Sequence, residues 1–209
     1  MTSPTTPGTP PVAGASTWNL ANALTAVRLV LVPVFGWLLL HEQGEDDTWR
    51  VAAFLAFAVA SITDRFDGEL ARRRGLVTDV GKIADPIADK ALTGMALVGL
   101  SLLDELPWWV TVVVMVREVG VTALRLVVIR HGVMPASRGG KLKTLLQGLA
   151  IGLYLLPPEW TPDLLAPIVM AAAVVVTIVT GLDYVVRAVR LRRTSPRALA
   201  KRAQRQAGA

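Results

Sequence analysis

The sequence predicts an all-α integral membrane protein, a bundle of six transmembrane helices with both termini in the cytoplasm. Of its 209 residues, 53% are hydrophobic and 18% are charged, and the mean hydropathy of +0.49 is too high for an ordinary soluble domain. The apolar residues fall into six segments, most of them close to the roughly 20 residues that cross a bilayer. The connections between the segments alternate in charge, which indicates how the helices are oriented.

The predicted elements follow one another with short connections. Residues 1–17 are rich in Thr, Pro and Gly and carry no charged side chain, so we predict a disordered tail there. Residues 18–187 form the predicted six-helix domain, and residues 188–209 form a basic cytoplasmic tail. The six spans are predicted at residues 20–41, 50–71, 82–103, 107–130, 142–157 and 164–187.

The charge of the connections predicts the topology. Residues 41–50, 104–106 and 157–163 are acidic, whereas residues 72–75 and 130–143 and the tail are basic. Among 22 Lys and Arg, only Arg50 lies in the acidic group. Because basic connections stay in the cytoplasm, the termini and the basic connections should lie there. The excess positive charge behind the formal net charge of +6 is thus an orientation signal. The basic tail should also contact membrane lipids. No nucleic-acid partner is expected, because the tail has no base-reading groups.

Four aspartates interrupt the second and third spans. Asp64 and Asp67 share one helical face, and Asp85 and Asp89 share another, so the four carboxylates should converge between two antiparallel helices. An acid within a bilayer costs roughly 2.5 to 3.5 kcal/mol, so a cation must compensate the group. Oxygen ligands favour Mg²⁺ or Mn²⁺. The alternative is a set of salt bridges with the nearby bases Arg65, Arg72, Lys82 and Lys90.

These aspartates belong to a longer pattern. The segment reads Asp64, Asp67, Gly68, Ala71, Arg72, Gly81, Asp85 and Asp89, with the spacing DxxDGxxAR(x8)GxxxDxxxD. It resembles the motif of the CDP-alcohol phosphatidyltransferases. Residues 18–33, 117–125 and 137–144 are similar to the phosphatidylglycerophosphate synthases, the branch that uses glycerol 3-phosphate. The resemblance covers roughly residues 18–187.

The resemblance implies a usually dimeric membrane enzyme that holds two divalent cations, Mg²⁺ or Mn²⁺, in a cavity facing the cytoplasm. It implies that Asp64, Asp67, Asp85 and Asp89 bind the metals and that Asp89 is also the general base. The implied CDP-lipid site consists of Gly68, Ala71, Arg72 and Gly81, with Asn22, Thr25 and Thr78 as further candidates. The implied reaction transfers phosphatidyl from CDP-diacylglycerol to glycerol 3-phosphate and releases CMP.

Basic residues of the fourth and fifth spans form a candidate site for the acceptor phosphate. Arg provides forked donors and Lys a point charge, which suits a phosphate group. The candidates are Arg117, Arg125, Arg138, Lys141 and Lys143. Alternatively, Arg117 pairs with Glu118 or an aspartate, and the other residues are orientation charges. Glu118 is interpreted as an orienting partner of the arginines rather than as a second base.

Two further features of the sequence, and the function itself, leave alternatives open. Gly148 and Gly152 form a GxxxG pattern, which permits close helix packing or marks a dimer face. Asp183 is a hydrogen-bonding residue of the bundle or a distant contributor to the cavity. The acceptor could instead be phosphatidylglycerol, as in a cardiolipin synthase, or inositol phosphate. A different class, an ion-coupled transporter, would use the intramembrane acids to bind its cation.

Overall fold

The computed structural model describes residues 20–74, 79–128 and 138–194, with the side chains of residues 25–63, 87–88, 90–125, 127–128 and 139–192. The described residues form helices and contain no strand. The long helices are α1 (Leu20–Leu40), α2 (Asp47–Arg74), α3 (Asp79–Leu102), α4 (Trp108–Val128), α5 (Arg138–Leu155) and α6 (Leu165–Thr194). Short 3-10 turns occupy His41–Gly44 and Pro158–Trp160. The predicted all-α fold is confirmed, and each long helix coincides with one predicted span.

Local sequence determines the turn between α1 and α2. Glu42, Gln43 and Gly44 have φ angles of 49°, 58° and 73°, a left-handed stretch that ends α1 and reverses the chain. Gly44 is buried, and a Cβ there would lie 2.7 Å from Leu103 Cδ1. Asp46 then caps α2, because its Oδ1 accepts hydrogen bonds from the Thr48 amide at 2.8 Å and the Trp49 amide at 3.1 Å.

The helices pack as two groups of three. Helix α1 packs against α2 and α3, while α6 packs against α4 and α5. Contacts of α2 with α5, and of α3 with α4 and α5, join the groups. The core at this junction is apolar and includes the buried residues Phe57, Leu92, Leu97, Leu100, Val114, Ile151 and Leu155. The junction is where the candidate site described below is formed.

Each long helix exposes large apolar side chains among its described residues. Among the described residues, two helical stretches are long and apolar enough to cross a membrane by length and composition alone, Thr25–Gly44 and Leu165–Arg192. The other helices contain more charge, because α2 and α3 carry the acidic motif and α4 and α5 carry the basic candidates. All six nevertheless expose large apolar side chains, and one from each helix, more than half exposed, is Val30, Leu55, Ile87, Val116, Leu149 and Val179.

Arg50 joins several segments at one end of the bundle. It is 4% exposed and forms an ion pair with Glu105, in the connection between α3 and α4. Its Nη1 donates to the carbonyl of Gly44 at 3.1 Å, and its Nη2 donates to the carbonyl of Tyr154 at 2.6 Å. The only Lys or Arg in the predicted acidic connections is therefore a buried structural residue.

We expect Arg50→Met to lower the thermal unfolding midpoint of the detergent-solubilised protein by roughly 10 °C. The change leaves Glu105 without its buried partner, and breaking such a pair typically costs about 3 to 5 kcal/mol. Helicity followed by circular dichroism during heating measures the midpoint. The control is Arg187→Met, because Arg187 pairs with Asp183 at 2.8 Å on an exposed surface and should leave the midpoint unchanged. Equal midpoints for Arg50→Met and the unmodified protein would contradict this role.

Candidate active site

The acidic motif occupies the adjoining ends of α2 and α3. Asp64 and Asp67 lie in the C-terminal part of α2, and Asp85 and Asp89 lie in the N-terminal part of α3. Only residues 75–78 separate the two helices, so the two acidic segments are at the same end of the bundle. The four carboxyl groups themselves lie outside the described side chains. Their helical placement agrees with the prediction, whereas their convergence stays a prediction.

The CDP-lipid candidates are distributed over the same helix ends. Gly68, Ala71 and Arg72 lie in α2 and Gly81 lies in α3, within the part whose side-chain surroundings are not described. Asn22 lies in α1, also outside the described side chains, and Thr78 falls in the undescribed connection. Thr25 is described, and its side chain is buried at 5% exposure within the bundle.

A buried arginine accompanies the acidic motif and was not among the predicted site residues. Arg28 on α1 is 3% exposed, and its Nε donates to the carbonyl of Ala60 at 3.3 Å. Ala60 precedes Asp64 by four residues, which is about one helical turn. Arg28 could have been selected from the sequence, since it is the only charged residue in the first predicted span.

A cavity of about 110 Å³ opens between the two helix groups. It lies among α2, α3, α4 and α5, and its lining is mixed. The polar lining residues are Ser61, Lys90, Thr93, Glu118, Lys143, Thr144 and Gln147, and the apolar ones include Phe57, Met115 and Ile151. Ser61 precedes Asp64 by three residues, and Lys90 directly follows Asp89. The cavity is therefore within one helical turn of the acidic motif on both α2 and α3.

Two cations share one carboxylate at this cavity. Glu118 Oε1 accepts a hydrogen bond from Arg117 Nη1 at 3.0 Å and forms an ion pair with Lys143 Nζ. Lys143 is 4% exposed. Arg117 Nη2 also donates to Thr180 Oγ1 at 3.1 Å, which attaches the guanidinium to α6. Two positive charges against one negative charge leave an excess that would attract an anion.

Arg125 has a different environment from Arg117. Its Nη2 donates to the hydroxyl of Tyr184 at 2.6 Å, and its guanidinium carbon lies 4.8 Å from the centre of that ring. The guanidinium carbon of Arg117 lies 5.7 Å from the same ring centre. The buried Tyr184 thus packs beside both arginines and holds them to α6. Neither Tyr184 nor Thr180 was predicted as a site residue, because the contact between α4 and α6 is not visible in the sequence.

The five acceptor candidates separate into groups. Arg117 and Lys143 meet at Glu118, as the interpretation of Glu118 as an orienting partner requires. Arg125 contacts Tyr184 rather than Glu118, so Glu118 orients one arginine and one lysine instead of two arginines. Lys141 is exposed and is not among the cavity-lining residues described. Arg138 begins α5, and its side chain lies outside the described ones.

The remaining predicted features also have definite places. A Cβ on Gly152 would lie 3.6 Å from the Phe54 ring, so this glycine packs against α2. A Cβ on Gly148 would meet nothing within 4 Å, and Gly148 lines the cavity instead of a helix contact. Among the described interactions, Asp183 pairs with Arg187 at 2.8 Å on its own helix and at an exposed surface. Neither a hydrogen bond to another helix nor a place at the cavity is seen for Asp183 among the described residues, and both alternatives stay predictions.

The chain matches a known family over most of its length. The profile of CDP-alcohol phosphatidyltransferase matches residues 18–179. A Mycobacterium tuberculosis (strain ATCC 25618 / H37Rv) protein named "Probable phosphatidylglycerophosphate synthase" is 56% identical over 185 residues, covering 88% of each chain. A Bacillus subtilis (strain 168) protein named CDP-diacylglycerol–glycerol-3-phosphate 3-phosphatidyltransferase is 37% identical over 180 residues, covering 80% of this chain and 93% of its own.

A relative with a different named product matches a shorter part. A Streptomyces coelicolor (strain ATCC BAA-471 / A3(2) / M145) protein named "Cardiolipin synthase (CMP-forming)" is 35% identical over 120 residues, covering 56% of this chain and 54% of its own. With the helices, the motif and these matches together, the chain belongs to the CDP-alcohol phosphatidyltransferase family. The resemblance inferred from the motif is confirmed, and so is the assignment as a phosphatidyltransferase enzyme.

Proposed function

We propose that the protein transfers the phosphatidyl group from CDP-diacylglycerol to glycerol 3-phosphate, with phosphatidylglycerol phosphate and CMP as products. The observation that carries this proposal is the cavity beside the acidic motif, which is lined by Lys143 and Glu118, with Arg117 paired to the same carboxylate of Glu118. An excess of positive charge beside the motif suits an acceptor that carries a phosphate. The names of the two longest-matching relatives described above agree with this acceptor.

We propose further that all six long helices cross the cell membrane. Each exposes large apolar side chains outward, which would be unfavourable in water and is expected in lipid. The charges of α4 that lower its hydropathy are compensated inside the bundle, since Arg117 and Glu118 pair and Arg125 contacts Tyr184. The positive-inside pattern supports an orientation with both termini and the acidic motif on the cytoplasmic side.

The acidic motif has the donor set of a divalent metal site. Asp64, Asp67, Asp85 and Asp89 offer carboxylate oxygens only, which are ligands that Mg²⁺ and Mn²⁺ prefer. Their places on the adjoining ends of α2 and α3 fit a shared site. We propose that these four residues hold two divalent cations. When bound, such ions would supply charge neutralisation for the diphosphate of the lipid-linked nucleotide.

The protein's own residues account for the other requirements of the transfer. Asp89 is the proposed general base. It takes the proton of the acceptor hydroxyl while the oxygen of that hydroxyl bonds to the phosphorus attached to diacylglycerol. The bond from that phosphorus to the CMP oxygen breaks, and CMP leaves. Gly68, Ala71, Arg72 and Gly81, with Asn22, Thr25 and Thr78, are the proposed CDP-lipid contacts.

Lys143 and Arg117 are the strongest candidates for binding the acceptor phosphate, because Lys143 lines the cavity and Arg117 shares the cavity-lining carboxylate of Glu118 with it. Arg125 has an indirect part in this site, because it donates a hydrogen bond to Tyr184, whose ring packs beside Arg117. Lys141 and Arg138 stay candidates for drawing the anion toward the site from the start of α5. We also propose that the protein is a homodimer, as the resemblance to the family implies.

The competing acceptors are phosphatidylglycerol and inositol phosphate. The match to a cardiolipin synthase makes phosphatidylglycerol the first competitor, and this match covers a little over half of this chain. Membership of a transferase family sets aside the ion-coupled transporter.

A comparison of acceptors tests the proposal. The purified protein in detergent micelles is given CDP-diacylglycerol with Mg²⁺ and, separately, glycerol 3-phosphate, phosphatidylglycerol or inositol phosphate. CMP release and the lipid product are then quantified. We expect glycerol 3-phosphate to give the highest kcat/KM. Failure of glycerol 3-phosphate to stimulate CMP release, with stimulation by one of the others, would reassign the acceptor.

We expect removal of divalent cations to abolish CMP release. Without a compensating cation, the four carboxylates and the diphosphate repel each other, and the substrate loses its charge partner. The measurement is CMP release after treatment with a chelator, followed by addition of excess Mg²⁺, Mn²⁺ or Ca²⁺. Recovery with Mg²⁺ or Mn²⁺ is expected. Full activity after removal of all divalent cations would contradict the proposed metal site.

A further inference from the structure

One buried amide oxygen at the cavity has no hydrogen-bond partner among the described residues. Gln147 on α5 is 4% exposed and lines the cavity, and its Oε1 is buried without a donor. A buried acceptor left unpaired costs free energy, so such groups in folded proteins are nearly always satisfied by protein, water or a ligand. The position of Gln147 on the cavity wall indicates that its donor comes from a molecule inside the cavity.

The chemistry of the amide oxygen selects among parts of the acceptor. A side-chain carbonyl oxygen accepts hydrogen bonds and cannot donate, so it suits a hydroxyl group and does not suit an ionised phosphate. The neighbouring hydroxyl of Thr144 already donates to the carbonyl of Gly140 at 3.1 Å. The ammonium group of Lys143 is bound to Glu118. These two neighbours on α5 therefore have partners other than Gln147.

Lys143 and Gln147 are placed so that they can contact neighbouring groups of one glycerol 3-phosphate molecule. Four residues apart on α5, their side chains lie on one helical face with Cβ atoms about 5 to 6 Å apart. In the acceptor, the carbon that carries the middle hydroxyl is bonded to the carbon that carries the phosphate ester. A phosphate held by Lys143 and Arg117 thus brings the middle hydroxyl toward Gln147. The terminal hydroxyl, which reacts, remains free to approach Asp89.

We infer that Gln147 is a specificity-determining residue that accepts a hydrogen bond from the middle hydroxyl of the acceptor, next to the phosphate held at Lys143. This inference rests on the proposed function and adds to it a reason why a polyol phosphate is selected. It assigns Gln147 to binding and positioning, with no part in proton transfer.

A comparison of two acceptors with two proteins tests the inference. The acceptors are sn-glycerol 3-phosphate and 3-hydroxypropyl phosphate, which keeps the phosphate and the reacting hydroxyl but lacks the middle hydroxyl. The proteins are the unmodified chain and Gln147→Met, which has similar size and no acceptor oxygen. CMP release gives kcat/KM for each combination. Leu149→Met is the matched control, because Leu149 is 53% exposed on the outer face of the same helix.

The unmodified protein should prefer glycerol 3-phosphate over the deoxy acceptor by about tenfold, as the loss of one hydrogen bond predicts. Leu149→Met should keep this preference, and Gln147→Met should lose it while its KM for CDP-diacylglycerol is unchanged. Should Gln147→Met fail to fold, Gln147→Asn shortens the side chain by one methylene and should also lose the preference. A full preference in a folded Gln147 variant would overturn the inference alone. No CMP release by the unmodified protein with glycerol 3-phosphate would overturn the proposed function and, with it, this inference.

Discussion

Asp89→Asn is expected to lower kcat for CMP release by at least about 10³-fold while CDP-diacylglycerol still binds. A general base typically contributes 10² to 10⁴-fold, and an amide cannot take the proton of the acceptor hydroxyl. Loss of one charged ligand should weaken metal binding as well, but three aspartates of the motif remain. Asp89 lies in α3 between the buried Ala88 and the cavity-lining Lys90, a place suited to this function.

Single-turnover CMP release measures the loss of turnover, and equilibrium binding of a labelled CDP-diacylglycerol shows whether the lipid substrate still binds. Asp183→Asn is the matched control, since Asp183 is an aspartate of the same bundle that pairs with Arg187 at an exposed surface. It should retain full turnover. Near-normal turnover by Asp89→Asn at saturating metal would contradict the assignment of the base.

Arg117→Ala is expected to raise the KM for glycerol 3-phosphate about 100-fold, equivalent to about 2.7 kcal/mol. The change removes the forked donor of the proposed phosphate site and leaves Lys143 alone with Glu118, so the local excess of positive charge is lost. The affinity for CDP-diacylglycerol should change little, because the proposed CDP-lipid contacts lie on other helices.

Initial-rate measurements with each substrate varied in turn give the two constants. Arg117→Lys should recover part of the loss, since it keeps the charge without the fork. Arg187→Ala, at an exposed position of α6, should leave both constants unchanged. Equal losses of acceptor use and CDP-lipid binding by Arg117→Ala would show that Arg117 is only a structural partner of Glu118 and Thr180.

Much of the fold could be predicted because apolar length and charge act locally. Each predicted span coincides with one helix, and the predicted acidic connection at residues 41–50 contains the chain reversal between α1 and α2. The helix ends were less predictable. Helix α6 continues past residue 187 to Thr194, and α5 already begins at Arg138, because basic residues are compatible with helix beyond the apolar core.

Residues that act through tertiary contacts could not be placed from the sequence. Arg50 stood out in the sequence only as an exception to the charge pattern, because its burial depends on three segments that meet only in the fold. The support of Arg125 by Tyr184 likewise requires α4 and α6 to be neighbours. Gln147 could have been noticed as a polar residue one helical turn after Lys143 in an apolar segment, but its missing partner is visible only in the structure.

The most direct test of the account is a crystal structure of the protein in lipid with Mn²⁺ and a CDP-lipid, with anomalous scattering recorded at the manganese edge. The account predicts two manganese peaks among Asp64, Asp67, Asp85 and Asp89, next to the diphosphate. A map with no manganese there, in which each aspartate pairs with a base such as Arg65, Arg72, Lys82 or Lys90, would contradict it.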